Sequence, residues 1–106
     1  MCRIFASQDP ASYAPVARAL RLSGHMTSIR LEAAYWAILD EMAAGEGLTT
    51  SRFIGKLHDE VVDWHGEVTN FTSMLRVTCT LYTKMQAKPP ERRPTPGVEE
   101  IRPVVT

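Results

Sequence analysis

The chain has 106 residues, a mass of 11.9 kDa, 44% hydrophobic and 23% charged residues, and its twelve basic side chains cancel twelve acidic ones. That is one compact domain plus tails, with no bulk basic character to announce nucleic acid. No apolar run approaches the roughly 20 residues needed to span a bilayer, and Met1-Cys2-Arg3-Ile4-Phe5 lacks the apolar stretch of a secretory signal. A cytoplasmic protein with no membrane partner is expected, with Cys2 and Cys79 reduced and too far apart in sequence for a zinc knuckle or a disulfide scaffold.

Residues 1–17, broken by Pro10 and Pro15, read as an arm without regular structure. Residues 19–22 alternate briefly before Ser23-Gly24-His25 interrupts them. Residues 26–31 alternate more clearly: Thr27, Ile29 and Leu31 fall on one face, and Met26, Ser28 and Arg30 on the other. β-Branched residues at inward positions make this the best strand. Glu32 opens a helix to about Gly45, with Tyr35 or Trp36, Leu39 and Met42/Ala43 at helical spacing. Gly47 suits a left-handed C′ position and Thr49 an N-cap. The second helix runs to about Trp64, with Phe53, Ile54, Leu57, Val61 and Trp64 inward. Thr69 or Asn70 caps a third helix to roughly Met85, whose apolar side holds Phe71, Met74/Leu75, Thr78, Tyr82 and Met85. From Ala87 onward five of the seven prolines crowd into 20 residues, a composition that reads as a flexible tail.

Charge is unevenly placed. Arg3, Arg18, Arg21 and Arg30 outweigh Asp9 over residues 1–30, a balance of +3. Over residues 31–65, Glu32, Asp40, Glu41, Glu46, Asp59, Glu60 and Asp63 outweigh Arg52 and Lys56, a balance of −5. An anionic partner is expected at the basic end.

A lone strand leaves backbone N–H and C=O groups unpaired. Residues 19–22 can fold back on 27–31 in cis, or residues 26–31 can pair antiparallel with a second copy across a two-fold axis. The dimer is the favoured expectation because it lets two small cores merge, and the cis hairpin can coexist with it as an outer strand.

The segment Thr27–Glu60, TSIRLEAAYWAILDEMAAGEGLTTSRFIGKLHDE, resembles the ribbon-helix-helix superfamily of bacterial DNA-binding proteins. Met1-Cys2-x-Ile4-Phe5, Asp9-Pro10, SGHMTSIRLE, Trp36, Glu46-Gly47-Leu48-Thr49 and Asn70-Phe71-x-Ser73-x-Leu75-Arg76-Val77 resemble a branch with an N-terminal arm and an extra C-terminal helix. The resemblance implies a mostly α fold in which one short strand pairs across a homodimer and three helices follow. It divides the chain into an arm (1–18), a ribbon-helix-helix domain (19–65), a third helix (66–86) and a Pro-rich tail (87–106). It further implies a transcriptional repressor or regulator that inserts a two-stranded ribbon into the major groove of double-stranded DNA. On that reading Met26, Ser28 and Arg30 contact base edges. Thr49, Thr50 and Ser51 at the start of the second helix, together with Arg21, contact phosphates, and Arg18 is a further phosphate candidate. The alternative is a dimeric interaction module, antitoxin-like or an adaptor, that presents the third helix and tail to a protein partner.

Nothing in the sequence suggests an enzyme, a cofactor or a metal. His58 and His65 are two helical turns apart, about 10.5 Å at 1.5 Å per residue, too far to share one ion. Cys79 beside Leu75 and Tyr82 reads as a small buried residue, and Asn70-Phe71-Thr72 is a glycosylation pattern without the context to use it.

Overall fold

The computed structural model describes residues 2–87; the expected tail therefore lies, from Lys88 onward, outside the described residues. The elements in order are α1 (Cys2–Ala6), α2 (Pro10–Tyr13), β1 (Pro15–Leu22), β2 (His25–Glu32), α3 (Ala33–Gly45), α4 (Thr50–His65) and α5 (Phe71–Gln86).

Residues 2–17 depart from the expectation of an arm without regular structure. Pro10 stands at the start of α2, where its missing N–H is no loss, and the Asp9 carboxylate accepts the Ala11 N–H at 3.0 Å. Pro15 likewise occupies the first position of β1, where a proline is tolerated. Residues 19–22 are the outer strand that the sequence allowed, and β1 extends it back to Pro15 through a stretch where the small outward residues Ala17 and Ala19 blur the alternation.

β1 and β2 pair antiparallel in cis, from Pro15 opposite Glu32 to Leu22 opposite His25. The cis hairpin that the sequence allowed between residues 19–22 and 27–31 is thus present, and it runs further, from Pro15 to Glu32. Ser23 and Gly24 close it with φ of 51° and 85°, the pair of positive φ angles that a two-residue type I′ turn requires. Ser23 tolerates its left-handed backbone because its side chain is held: the hydroxyl donates to Asp59 at 3.2 Å and lies 3.2 Å from His58 Nδ1. Beyond the last rung, Ala33 N–H donates to Ala14 C=O at 2.9 Å. One edge of β2 has no strand partner among the described residues.

Leu20, Leu22, Ile29 and Leu31 on the inner face of the hairpin join Trp36, Leu39, Ile54, Leu75 and Cys79 in one core. α4 runs alongside β1 closely enough that a Cβ on Gly55 would sit 3.3 Å from the Arg21 carbonyl oxygen. α5 packs on β2 and α3, tied by Arg76 to Glu32 and by the Tyr82 hydroxyl, which donates to Glu41 at 2.8 Å. Cys79 is fully buried and its thiol donates to the Tyr35 carbonyl at 3.6 Å; burial raises its pKa to about 11, the state of an inert core thiol.

Thr49 caps α4 by accepting the Arg52 N–H at 3.1 Å, and Gly47 has φ of 73°. Other sequence expectations fail locally. Asn70 precedes α5 in a left-handed conformation and its side chain makes no capping bond. Trp64 is 83% exposed rather than inward, and Met85 is exposed too; each lies near the end of its helix, beyond the reach of the core. Thr27 is on the inner face but exposed, on the strand with the open edge, where it lines a surface cleft with Ile29, His58 and Phe71.

The two tryptophans therefore test the packing. Trp36→Ala should cost about 3–5 kcal/mol in urea unfolding, whereas Trp64→Ala should stay within about 0.5 kcal/mol. Acrylamide should quench Trp64 strongly and Trp36 weakly; equal quenching contradicts this core.

Candidate nucleic-acid interface

Strand alternation sorts the hairpin into two faces. Turned away from the core are Ala17, Ala19 and Arg21 from β1 and Met26, Ser28 and Arg30 from β2, all exposed. The register sets Arg21 opposite Met26, Ala19 opposite Ser28 and Ala17 opposite Arg30. Because Leu22 and His25 flank a two-residue turn they form a hydrogen-bonded pair, so these three outward pairs are the closer, non-hydrogen-bonded kind, with Cα atoms about 4.5 Å apart. The three expected base-contact residues thus share one surface with Arg21. Its guanidinium rests against the turn, donating to the Gly24 carbonyl at 3.3 Å. Arg30 has no ion-pair partner among the described residues.

The only carboxylate in register on this face is Glu32 at its far end, and Arg76 neutralises it at 3.0 Å. The hydrogen bond from Arg76 holds the Glu32 carboxyl below its ordinary pKa. The acidic middle of the chain sits instead on the helices, although Asp59 reaches the hairpin tip through Ser23.

Beneath β1 lies a polar knot. Arg18 donates twice to Asp40, at 2.9 and 3.1 Å, with its guanidinium 4.4 Å from the Trp36 ring. The Trp36 indole N–H donates to the Val16 carbonyl at 2.8 Å, satisfying a ring that is only 2% exposed. Thr50 donates its hydroxyl to Asp40 at 2.6 Å. One side-chain network so fastens β1, α3 and the start of α4. Arg18, a phosphate candidate by sequence, is engaged here.

A ribbon-helix-helix domain matches residues 15–83. The chain belongs to the ribbon-helix-helix family. The fold is also similar to a solved structure of an uncharacterised protein from Bordetella pertussis Tohama I, with a TM-score of 0.80 and 47% identity over 82% of this chain and 70% of that one. No curated protein matches. Ribbon-helix-helix proteins are in general DNA-binding regulators and typically not enzymes. The match begins at Pro15, the first residue of β1, so both strands of the hairpin lie within it. Ala17 and Ala19 were not among the candidates because, as small residues in a weakly alternating segment, they carry no side-chain chemistry that points to a base edge.

The start of α4, the expected phosphate contact, is partly engaged. The Thr49 hydroxyl serves the cap and the Thr50 hydroxyl serves Asp40. The main-chain N–H groups of Thr50 and Ser51 take no protein acceptor among the described residues, as the first turn of a helix leaves them.

The Asp40 knot makes a pH prediction. The bond from Arg18, aided by the one from Thr50 and opposed by burial, lowers the Asp40 pKa below its unfolded value near 3.9. Its stabilising effect is then fully present above that value and is lost as pH falls through the lower, folded-state pKa. Urea midpoints of wild type and Asp40→Asn should differ most near pH 7 and converge as pH drops below about 4. A gap that does not narrow contradicts the assignment.

Proposed function

We propose that the protein is a sequence-specific DNA-binding homodimer, a transcriptional repressor or regulator that inserts a two-stranded ribbon into the major groove. The observation that carries this reading is the outward hairpin face, exposed throughout and bearing two arginines with its one carboxylate neutralised. Arg30 donates bidentately to guanine O6 and N7, Ser28 donates or accepts, and Met26 packs on a thymine methyl. Thr50 and Ser51 offer main-chain N–H groups to a phosphate, in which the dipole of α4 assists; Thr49 contributes by shaping that turn. The acidic helices lie behind the hairpin, away from the duplex.

Dimerisation has support on α5. Val77, Leu81 and Met85 recur every fourth residue, all more than half exposed, on the side of α5 turned away from buried Leu75 and Cys79. This row suits a second copy, and it also favours a second reading in which α5 carries a different protein and the chain acts as an interaction module. Leu81→Glu separates them: loss of the dimer in sedimentation assigns the row to self-association, and an unchanged dimer leaves it to another protein.

The function itself is tested by sequencing genomic fragments captured by wild type and by Arg30→Ala at about 0.15 M salt, where purely electrostatic binding is suppressed. The expected result is a motif with inverted half-sites for wild type, with the preference at one position lost in the mutant at a cost of about 1–3 kcal/mol. No enrichment by a folded wild-type protein contradicts DNA reading.

A further inference from the structure

Resting on the homodimer reading above, we propose that the two copies exchange their N-terminal arms. Ile4 and Phe5 of α1 in one protomer cover the Val77, Leu81 and Met85 row on α5 of its partner.

α1 has no support within its own chain. Its turn is closed by local bonds alone, from the Ser7 N–H to the Arg3 carbonyl at 3.0 Å and from the Ser7 hydroxyl to the Ile4 carbonyl at 3.3 Å. None of its five residues is buried, and Ile4 and Phe5 are 69% and 61% exposed. Isolated helices shorter than about 12–15 residues are marginal in water. A single turn bearing two large apolar side chains therefore requires a surface to rest on. The outer side of α5 is such a surface. Val77, Leu81 and Met85 are exposed along it and span about 12 Å, enough to accept the roughly 7.5 Å of a five-residue helix.

Reach excludes the same contact within one chain. The arm is anchored at α2, which packs on α3 and ends where the Ala14 carbonyl accepts the Ala33 N–H. From Pro10 back to Phe5 the chain spans at most about 18 Å when fully extended, and less with α1 helical. α5 also packs on α3, at the roughly 8–10 Å axial separation of packed helices. The row lies on the far side of α5, half a circumference further, which adds roughly 17 Å for a helix 10–12 Å across. The arm falls short of its own α5 but not of a partner's.

The area required for a dimer points the same way. Stable interfaces bury about 800 Å² per partner over roughly 20–30 residues, and a row of three side chains meeting its own copy falls well below that. Exchange adds Ile4 and Phe5 from each protomer, and a two-fold axis repeats every arm contact. It uses no residue of β1 or β2, so the outward hairpin face and the open edge of β2 are left to other contacts.

Cys2 makes the exchange readable. It is exposed on α1, whereas Cys79 is buried and its thiol pKa is raised to about 11. Lys84, exposed and one turn from Leu81, supplies the second attachment point. Full-length Cys2→Ser/Lys84→Cys protein labelled with nitrogen-15 is mixed with unlabelled wild type until subunits exchange. A short bismaleimide then links accessible thiols, and the joined peptides are identified by mass spectrometry. Sedimentation of wild type is run alongside. The expected product joins position 2 of the unlabelled chain to position 84 of the labelled one. Its yield should fall about 10-fold when the unlabelled chain carries Phe5→Glu. That variant should keep its circular dichroism and urea midpoint, because Phe5 is exposed in its own chain. The inference is overturned if wild type sediments as a dimer and no cross-chain product forms, or if Phe5→Glu leaves its yield unchanged. Either result leaves the dimer standing and assigns the α5 row to another contact. A wild type that sediments as a monomer removes the homodimer reading, and this inference with it.

Discussion

The antiparallel pairing of β1 with β2 is the constraint on which the rest of the molecule depends. It satisfies one edge of each strand, and the positive-φ turn at Ser23-Gly24 fixes its register without slack. Register in turn decides which side chains meet the helices. Leu20, Leu22, Ile29 and Leu31 go down to the core, and Ala17, Ala19, Arg21, Met26, Ser28 and Arg30 go out together. A slip of one residue would bury both arginines and expose the leucines. The helices then only have to cover one face of a small ribbon, which three of them do with Trp36, Leu39, Ile54, Leu75 and Cys79.

Function follows from how the neutral chain distributes its charge. Asp40 is engaged by Arg18 and Thr50, Glu32 by Arg76 and Glu41 by the Tyr82 hydroxyl. These contacts join elements, and they also remove carboxylates from the competition for Arg21 and Arg30. A chain of no net charge can therefore present a cationic face. The contacts are half-exposed and individually modest; the Arg18 knot gains from the stacked Trp36 ring and from the several partners that share one carboxylate.

Much of this was legible in the sequence because it rests on local patterns. The alternation in Met26–Leu31, the Thr49 cap and the Gly47 stop specify β2, the break and α4 through physics contained within a few residues. What was not legible depends on contacts distant in sequence. β1 has weak alternation and becomes a strand because β2 stands opposite and the Trp36 indole holds Val16. Arg18 looked available for phosphate until Asp40 and Trp36, 22 and 18 residues away, closed around it. Trp64 and Met85 satisfied helical spacing but fell past the end of the layer they were meant to join. The outward side of β2 was readable from period alone; its extension across β1 required the register.

The most direct test of the account is an amide-resolved NMR titration of the intact protein with duplex DNA. The account predicts perturbations at Ala17, Ala19, Arg21, Met26, Ser28 and Arg30 and at the N–H groups of Thr50 and Ser51, with the outer row of α5 unmoved. Perturbations centred on Val77, Leu81 and Met85, or a hairpin that does not respond, would contradict it.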